Sequence, residues 1–161
     1  MPCTGSGCQG ANLSGANLVG ASALGTNFTG ANFTGANLTL ADFDGANLTS
    51  ANLAQTNVSS WVTSPATVFT NVSSGGIVGT PNSVWSGLVL VSGYLVGPGV
   101  NLTNANLKYT NLGCTYYQAS STAVLEKCLS VQGANLQGAD FTGADITGLN
   151  FQGTNLQGAN L

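Results

Sequence analysis

The sequence predicts an all-β solenoid, and three observations predict it. First, a large apolar centre recurs at every fifth residue: Leu13, Leu18, Ala23, Phe28, Phe33, Leu38, Phe43, Leu48, Leu53 and Val58. Second, a small residue sits two positions before each centre: Ala11, Ala16, Ala21, Thr26, Ala31, Ala36, Ala41, Ala46, Ala51 and Thr56. Third, Gly or Ser is common at the fifth place, where it tolerates a backbone bend. A period of five fits neither the 3.6 of a helix nor the 2.0 of a strand. It fits a coil in which five residues make one side and one corner, with the centre and the small residue inward and Asn or Asp outward between them. Coils stacked at about 4.8 Å can then pair their backbones above and below.

The pattern continues in two further phases. One centres on Leu102, Leu107 and Leu112, the other on Leu136, Phe141, Ile146, Phe151, Leu156 and Leu161, which makes nineteen repeats in all. The repeat runs are 11–60, 100–114 and 134–161, with inserts at 61–99 and 115–133, and the whole of 1–161 reads as one domain. The tandem A-[N/D]-[L/F]-x-G units closely resemble the pentapeptide-repeat family over about 95 of the 161 residues. That resemblance implies a right-handed, four-sided β-helix with twenty residues per coil. Leu13, Phe33 and Leu53 would stack on one side, with Ala23 beneath Phe43, a small residue under a large one in a narrow interior. Nineteen repeats amount to just under five coils, a rod of roughly 25 Å.

The first interruption is rich in Gly and β-branched residues, with turn signals at Gly75-Gly76, Thr80-Pro81 and Gly97-Pro98. Short strands and turns are expected, an irregular coil continuing the solenoid being one such arrangement. Its SGGI-x-GTP, Trp and GYLVGPG elements resemble, more loosely, an insert between repeat runs in some bacterial and large-virus proteins. The second interruption contains SSTAVLEKCLSV, where Ser120 or Ser121 is placed to cap a helix of two to three turns, a flap on the rod. Trp61, Trp85, Tyr94, Tyr109, Tyr116 and Tyr117 fall in or beside the inserts, where they are expected to cover the flank of the solenoid rather than line a ligand site.

Composition narrows the function. Charged residues are 4% of the chain, against a usual ~25%. Two lysines cannot neutralise a run of phosphates, so nucleic acid is not an expected partner. The apolar stretch 87–97 is too short and Gly-rich to span a bilayer, and residues 1–10 carry no signal-peptide pattern. With no histidine there is no His-based general base or triad. Asp42, Asp140 and Asp145 stand where the repeat has Asn, while Asp42 with Asp44 could hold a cation only weakly. No metal, cofactor or catalytic residue is expected.

Cys3 with Cys8 and Cys114 with Cys128 are two local pairs. Four cysteines allow three pairings, and four free thiols in a reducing compartment are the other reading. A Cys114–Cys128 bridge would contribute about 3 kcal/mol through loop closure. The sequons at Asn12, Asn27, Asn32, Asn37, Asn47, Asn57, Asn71 and Asn101 largely follow from the repeat's own preference for Asn and Thr.

The last run stops at QGANL, so Phe151, Leu156 and Leu161 are the candidate residues for association at an uncapped end, with another copy or a different protein. The expectation is a non-enzymatic structural or interaction protein, a rigid and homo-oligomeric building block or cement in a virus capsid or cell-surface structure. A virion or extracellular location is favoured over the cytoplasm. Family resemblance also raises a gyrase-binding DNA mimic, but five acids spread over the chain are few for that role. An ice- or carbohydrate-binding face of Thr29, Thr34, Thr39 and Thr49 is the other alternative, and only Thr29 and Thr49 share a side.

Overall fold

The computed structural model describes residues 7–81, 87–118 and 124–161. Its middle positions pair as single-residue parallel bridges in four ladders. Side one runs through Asn12, Asn32, Asn52, Ser73, Asn101, Asn135 and Asn155. Side two holds Asn17, Asn37, Asn57 and Val78, then Asn106, Asp140 and Asn160. Side three holds Ser22, Asp42 and Val62, then Asn111 and Asp145, and side four holds Asn27, Asn47 and Val68, then Ser130 and Asn150. The stacking predicted for Leu13, Phe33 and Leu53 holds, and Ala23 lies beneath Phe43.

Every backbone N–H of a unit finds an acceptor, as a buried chain requires. In the unit 31–35, Ala31 N–H donates to Phe28 O across the corner at 2.9 Å, and Asn32 N–H to Ala11 O in the coil before at 2.9 Å. Phe33 and Gly35 N–H donate to Asn52 O and Ala54 O in the coil after, at 2.8 and 2.9 Å. Thr34 N–H has no coil to reach, and donates instead to the Asn32 Oδ1 at 3.0 Å. This Asx turn explains why the outward middle position is Asn or Asp.

Apart from the Ser64–Thr67 corner, the corners closed by a backbone hydrogen bond are four-residue turns with positive φ at the third residue, as in a type II turn. Gly15 has φ +64°, and a Cβ there would touch nothing within 4 Å, so glycine is required by conformation and not by space. Leu40 occupies the same place with φ +58° and its side chain 59% exposed.

The interior is filled by a stack of rings. Phe28, Phe33 and Phe43 lie 5.1–5.8 Å apart, centroid to centroid. Trp61 adds to Phe43 at 5.4 Å and to Phe69 at 6.0 Å, both edge-on. Where Thr replaces the small inward residue, its hydroxyl turns to a carbonyl: Thr56 to Leu53 O, Thr110 to Leu107 O, Thr67 to Phe43 O. Buried hydroxyls are thereby satisfied without widening the tube.

The first insert takes the expected arrangement in which an irregular coil continues the solenoid, but it differs from the sequence reading at Trp61. Residues 61–80 stay in the rod, for Val62, Val68, Ser73 and Val78 pair with Asp42, Asn47, Asn52 and Asn57 of the coil before. Around three of these four positions the inward pair is reversed, a large residue taking the small slot and a small one the centre, in Trp61/Thr63, Val72/Ser74 and Ile77/Gly79, while Thr67/Phe69 keeps the ordinary order. Trp61 is fully buried, so it belongs to the core and not to the flank. With this added coil, side one passes through seven rungs among the described residues, about 29 Å at the stacking distance rather than just under five coils. The strands β1 (Val89–Val91) and β2 (Tyr94–Val96) form the expected turn-rich element, an antiparallel hairpin that buries Leu95 and Val96.

The second insert is not helical. The strands β3 (Thr115–Gln118) and β4 (Val124–Lys127) pair antiparallel, Thr115 opposite Lys127. Cys114 and Cys128 are the next pair outward, disulfide-bonded with Cα atoms 4.0 Å apart. A helix over the same segment would separate those two residues by about 20 Å along its axis, at 1.5 Å per residue. Ser120 and Ser121 lie outside the described residues.

Two outcomes follow for stability. Leu40→Gly is expected to stabilise the protein by a few tenths to about 1 kcal/mol, because the left-handed cost of an L-residue exceeds the entropy a glycine adds to the unfolded chain. Thermal or urea unfolding reads this, and a drop in stability would contradict the corner geometry. The Trp61 Nε1–H is buried without a partner. Trp61→Ala should therefore cost about 3–5 kcal/mol by opening a cavity. Trp61→Phe should cost much less, since it removes an unsatisfied donor together with part of the volume.

Candidate functional site

The outer surface is a set of ladders of Asn, Asp and Thr side chains. Asn27, Asn32 and Asn37 each accept the hydroxyl of the Thr two residues on, at 2.7, 2.6 and 2.6 Å. The donor hydrogens of Thr29, Thr34 and Thr39 are thus directed along the rod surface, which weighs against an outward Thr array. The sequon residues Asn12, Asn27, Asn32, Asn37, Asn47, Asn57 and Asn101 all serve as Asx acceptors in these ladders.

The acids take the same structural post. Asp42 Oδ1 accepts Asp44 N–H at 3.0 Å, and Asp145 Oδ1 accepts Thr147 N–H at 2.9 Å. Asp140 accepts both the hydroxyl and the N–H of Thr142, and pairs with the Lys108 ammonium of the coil before at 3.0 Å. The Thr142 hydroxyl, then its N–H, then Lys108 hold the Asp140 carboxyl down to about 2. Asp145 is lowered by the Thr147 N–H. Asp42 and Asp145 share side three but lie four coils apart, about 19 Å, so they form no acidic strip. No group of three or more metal-ligating side chains occurs among the described residues, and no described helix is long and apolar enough to cross a membrane.

The inserts are where the surface departs from the ladders. In the β1–β2 hairpin, Ser92 (φ +48°) and Gly93 (φ +79°) are both left-handed, as a type I′ turn requires. This turn docks on the rod: Ile77 N–H donates to Gly93 O at 3.0 Å, and Leu95 N–H to Ser74 Oγ at 3.0 Å. A Cβ on Gly93 would lie 3.0 Å from the Gly76 nitrogen, and one on Gly75 would lie 3.1 Å from the Tyr94 ring. Gly93 is needed because backbone meets backbone there, and Gly75 because the Tyr94 ring packs against it. Tyr94 is half-buried beneath the hairpin, and Tyr109 stands 79% exposed at a corner. Tyr116 and Tyr117 lie in β3, and Trp85 falls outside the described residues.

Of the other predicted positions, Cys8 is buried at the centre one unit before Leu13, in register with Phe28 of the next coil, and is disulfide-bonded, while Cys3 lies outside the described residues. The Cys114–Cys128 disulfide clamps the β3–β4 hairpin against the corner at Gly148, where a Cβ would lie 2.2 Å from the Cys114 sulfur. At the last rung, Phe151 and Leu156 are half-buried and Leu161 is 62% exposed, whereas equivalent centres in mid-rod are fully buried.

The Asp140 site gives a pH test with a definite sign. Its folded carboxyl titrates below its ordinary value of 3.8, so the stabilisation is complete above that value and fades as pH falls towards about 2. Asp140→Asn keeps the Asx acceptor but removes the charge. From about pH 5 down to about pH 2 the wild type should lose more stability than this variant, measured by urea midpoints at each pH. Parallel acid profiles would contradict the assignment.

Comparison with known proteins agrees with this architecture. The pentapeptide-repeat family profile matches eight copies, over residues 8–45, 26–60 and 130–161. No curated protein sequence matches the chain. Among solved structures it is similar to QnrB1, a plasmid-mediated fluoroquinolone resistance protein, at 19% identity and a TM-score of 0.42. That match covers 92% of this chain and 58% of the QnrB1 chain, so the present chain spans little more than half of that relative's length. It is also similar to the pentapeptide-repeat protein Rfr23 of the cyanobacterium Cyanothece 51142, at 21% identity, 94% and 88% coverage and a TM-score of 0.31. A third is HetL, involved in heterocyst differentiation regulation in the cyanobacterium Nostoc sp., at 22% identity, 94% and 62% coverage and a TM-score of 0.28. With just over half of its residues inside the family profile and its units stacked in four ladders, the chain belongs to the pentapeptide-repeat family and folds as its right-handed, four-sided β-helix.

Proposed function

We propose that this protein is a non-catalytic building block that self-associates or docks on other proteins in a larger assembly, such as a virus capsid or cell-surface structure. The observation that carries the proposal is apolar surface on an almost uncharged body. Val19 and Leu40 near one corner of side three, Leu24 near the other and Val62 on the face between them are 36–59% exposed. Scarce charge removes the repulsion that keeps free monomers apart, and suits a subunit held against neighbours. The Cys114–Cys128 disulfide supports a virion or extracellular setting, where such bonds persist.

Light scattering after size exclusion, across a concentration series of the 161-residue chain, tests this reading. A dimer or larger oligomer is expected. Leu24→Lys with Leu40→Lys should dissociate it. A monodisperse monomer at every concentration would overturn self-association.

A further inference from the structure

A cleft of about 430 Å³ opens where the β1–β2 hairpin meets side two of the rod, lined by Gly76, Ser92, Tyr94, Asn106, Lys108 and Tyr109. We propose that this cleft is a binding site for a neutral saccharide, and this goes beyond the assembly role above. One of its lining residues, Tyr109, is a non-glycine residue held at a positive φ of +57°. Backbone strain gathers at sites where a particular side chain is needed. At Tyr109 the repeat ordinarily has glycine or a small polar residue, yet the largest side chain found at any described corner is placed there. Its ring lies over Gly143, whose absent Cβ would come within 2.7 Å of it, so the ring is supported from one side and 79% exposed overall.

The chemistry around that ring selects the ligand class. The Lys108 ammonium is neutralised by Asp140 at 3.0 Å, which leaves the cleft without a net charge to attract an anion or a cation. The Tyr94 hydroxyl accepts Asn106 N–H at 3.3 Å and keeps its own hydrogen for a ligand. Asn106 Oδ1 is taken by Lys108 N–H at 3.3 Å, which points its amide NH₂ outward as a donor. Ser92 adds an exposed hydroxyl. A rigid aromatic face flanked by hydroxyl and amide groups in an open, wet cleft suits a sugar ring, which offers one apolar face and a rim of hydroxyls. A wholly apolar ligand would gain little in a cleft of this polarity, since apolar ligands need enclosure.

Saturation-transfer NMR on the full chain tests the proposal with cellobiose, maltose and chitobiose as neutral probes and sialyllactose as an anionic one. At least one neutral disaccharide should bind with a millimolar Kd, and the anionic probe should bind no better. Tyr109→Gly should weaken binding about tenfold or more while leaving the melting temperature unchanged or higher, because glycine suits that corner. Tyr109→Phe should retain most of the affinity. Absence of saturation transfer to all three neutral probes would overturn the proposal. So would binding that survives Tyr109→Gly, or a clear preference for the anionic probe. None of these results depends on the oligomeric state, so failure here leaves the assembly reading intact, and the converse also holds.

Discussion

One backbone N–H in every five has no neighbouring coil to bond to, and the Asn or Asp side chain two residues earlier takes it. Four of the five amides in a unit are satisfied by the turn and by the coils before and after. The fifth, at the residue after the centre, is turned away from both, and the middle side chain accepts it at 2.9–3.4 Å along the rod. Where the middle residue is Asn or Asp the bond is made within the unit, while Val62, Val68 and Val78 offer no side-chain acceptor for it. The bond favours Asn or Asp outward, and with them the amide-rich surface.

The interior obeys a second constraint, a narrow cross-section. On most sides of a coil one inward residue is large and the other small, although Val100 with Leu102 and Leu149 with Phe151 turn two sizeable side chains inward. Side three shows the consequence in three successive coils: Ala21 with Ala23, Ala41 with Phe43, then Trp61 with Thr63. The small-then-large order is a habit of the repeat, and the order can reverse without breaking the ladder. At Trp61, Val72 and Ile77 the large residue comes first, and the ladder continues with valine or serine outward.

These two constraints explain which parts were legible in the sequence. The ladders through Asn12, Asn32 and Asn52 follow from the period alone, because small-x-large recurs there without interruption. Residues 61–80 hid the same fold for two reasons. The inward pair is reversed, and the step from Val62 to Val68 is six residues rather than five, which throws the phase out by one at Pro65. A search for large-x-small with one residue of slack would have found it. The β3–β4 hairpin reads as a helix from sequence because Ser120 and Ser121 resemble a cap, although TYYQ and the paired cysteines favour strands closed at their base. The docking of the β1–β2 turn on Gly76 was beyond sequence reasoning, since contact between residues 76 and 93 depends on where the coil returns.

Scarcity of charge, read from composition as a functional sign, has a structural origin as well. In a ladder every side chain has a copy of its own position about 4.8 Å above and below. Like charges at that spacing repel by about 1 kcal/mol even in water, and more where the rod excludes solvent. Amides at the same spacing attract: Asn155 Nδ2 donates to Asn135 Oδ1 at 3.2 Å, and Gln132 Nε2 to Gln152 Oε1 at 3.2 Å. The described ladder acids accordingly have no acidic neighbour. Asp42 lies between Ser22 and Val62, Asp145 beside Asn111, and Asp140 between Asn106 and Asn160 with Lys108 at hand. Neutrality is thus partly what a stacked rod requires, and so says less about partners than it would on a globular surface. Information about function has to be sought where the chain departs from the ladder at a cost the rod does not demand. Tyr109 at a glycine corner is such a place, and so is the hairpin that frames it.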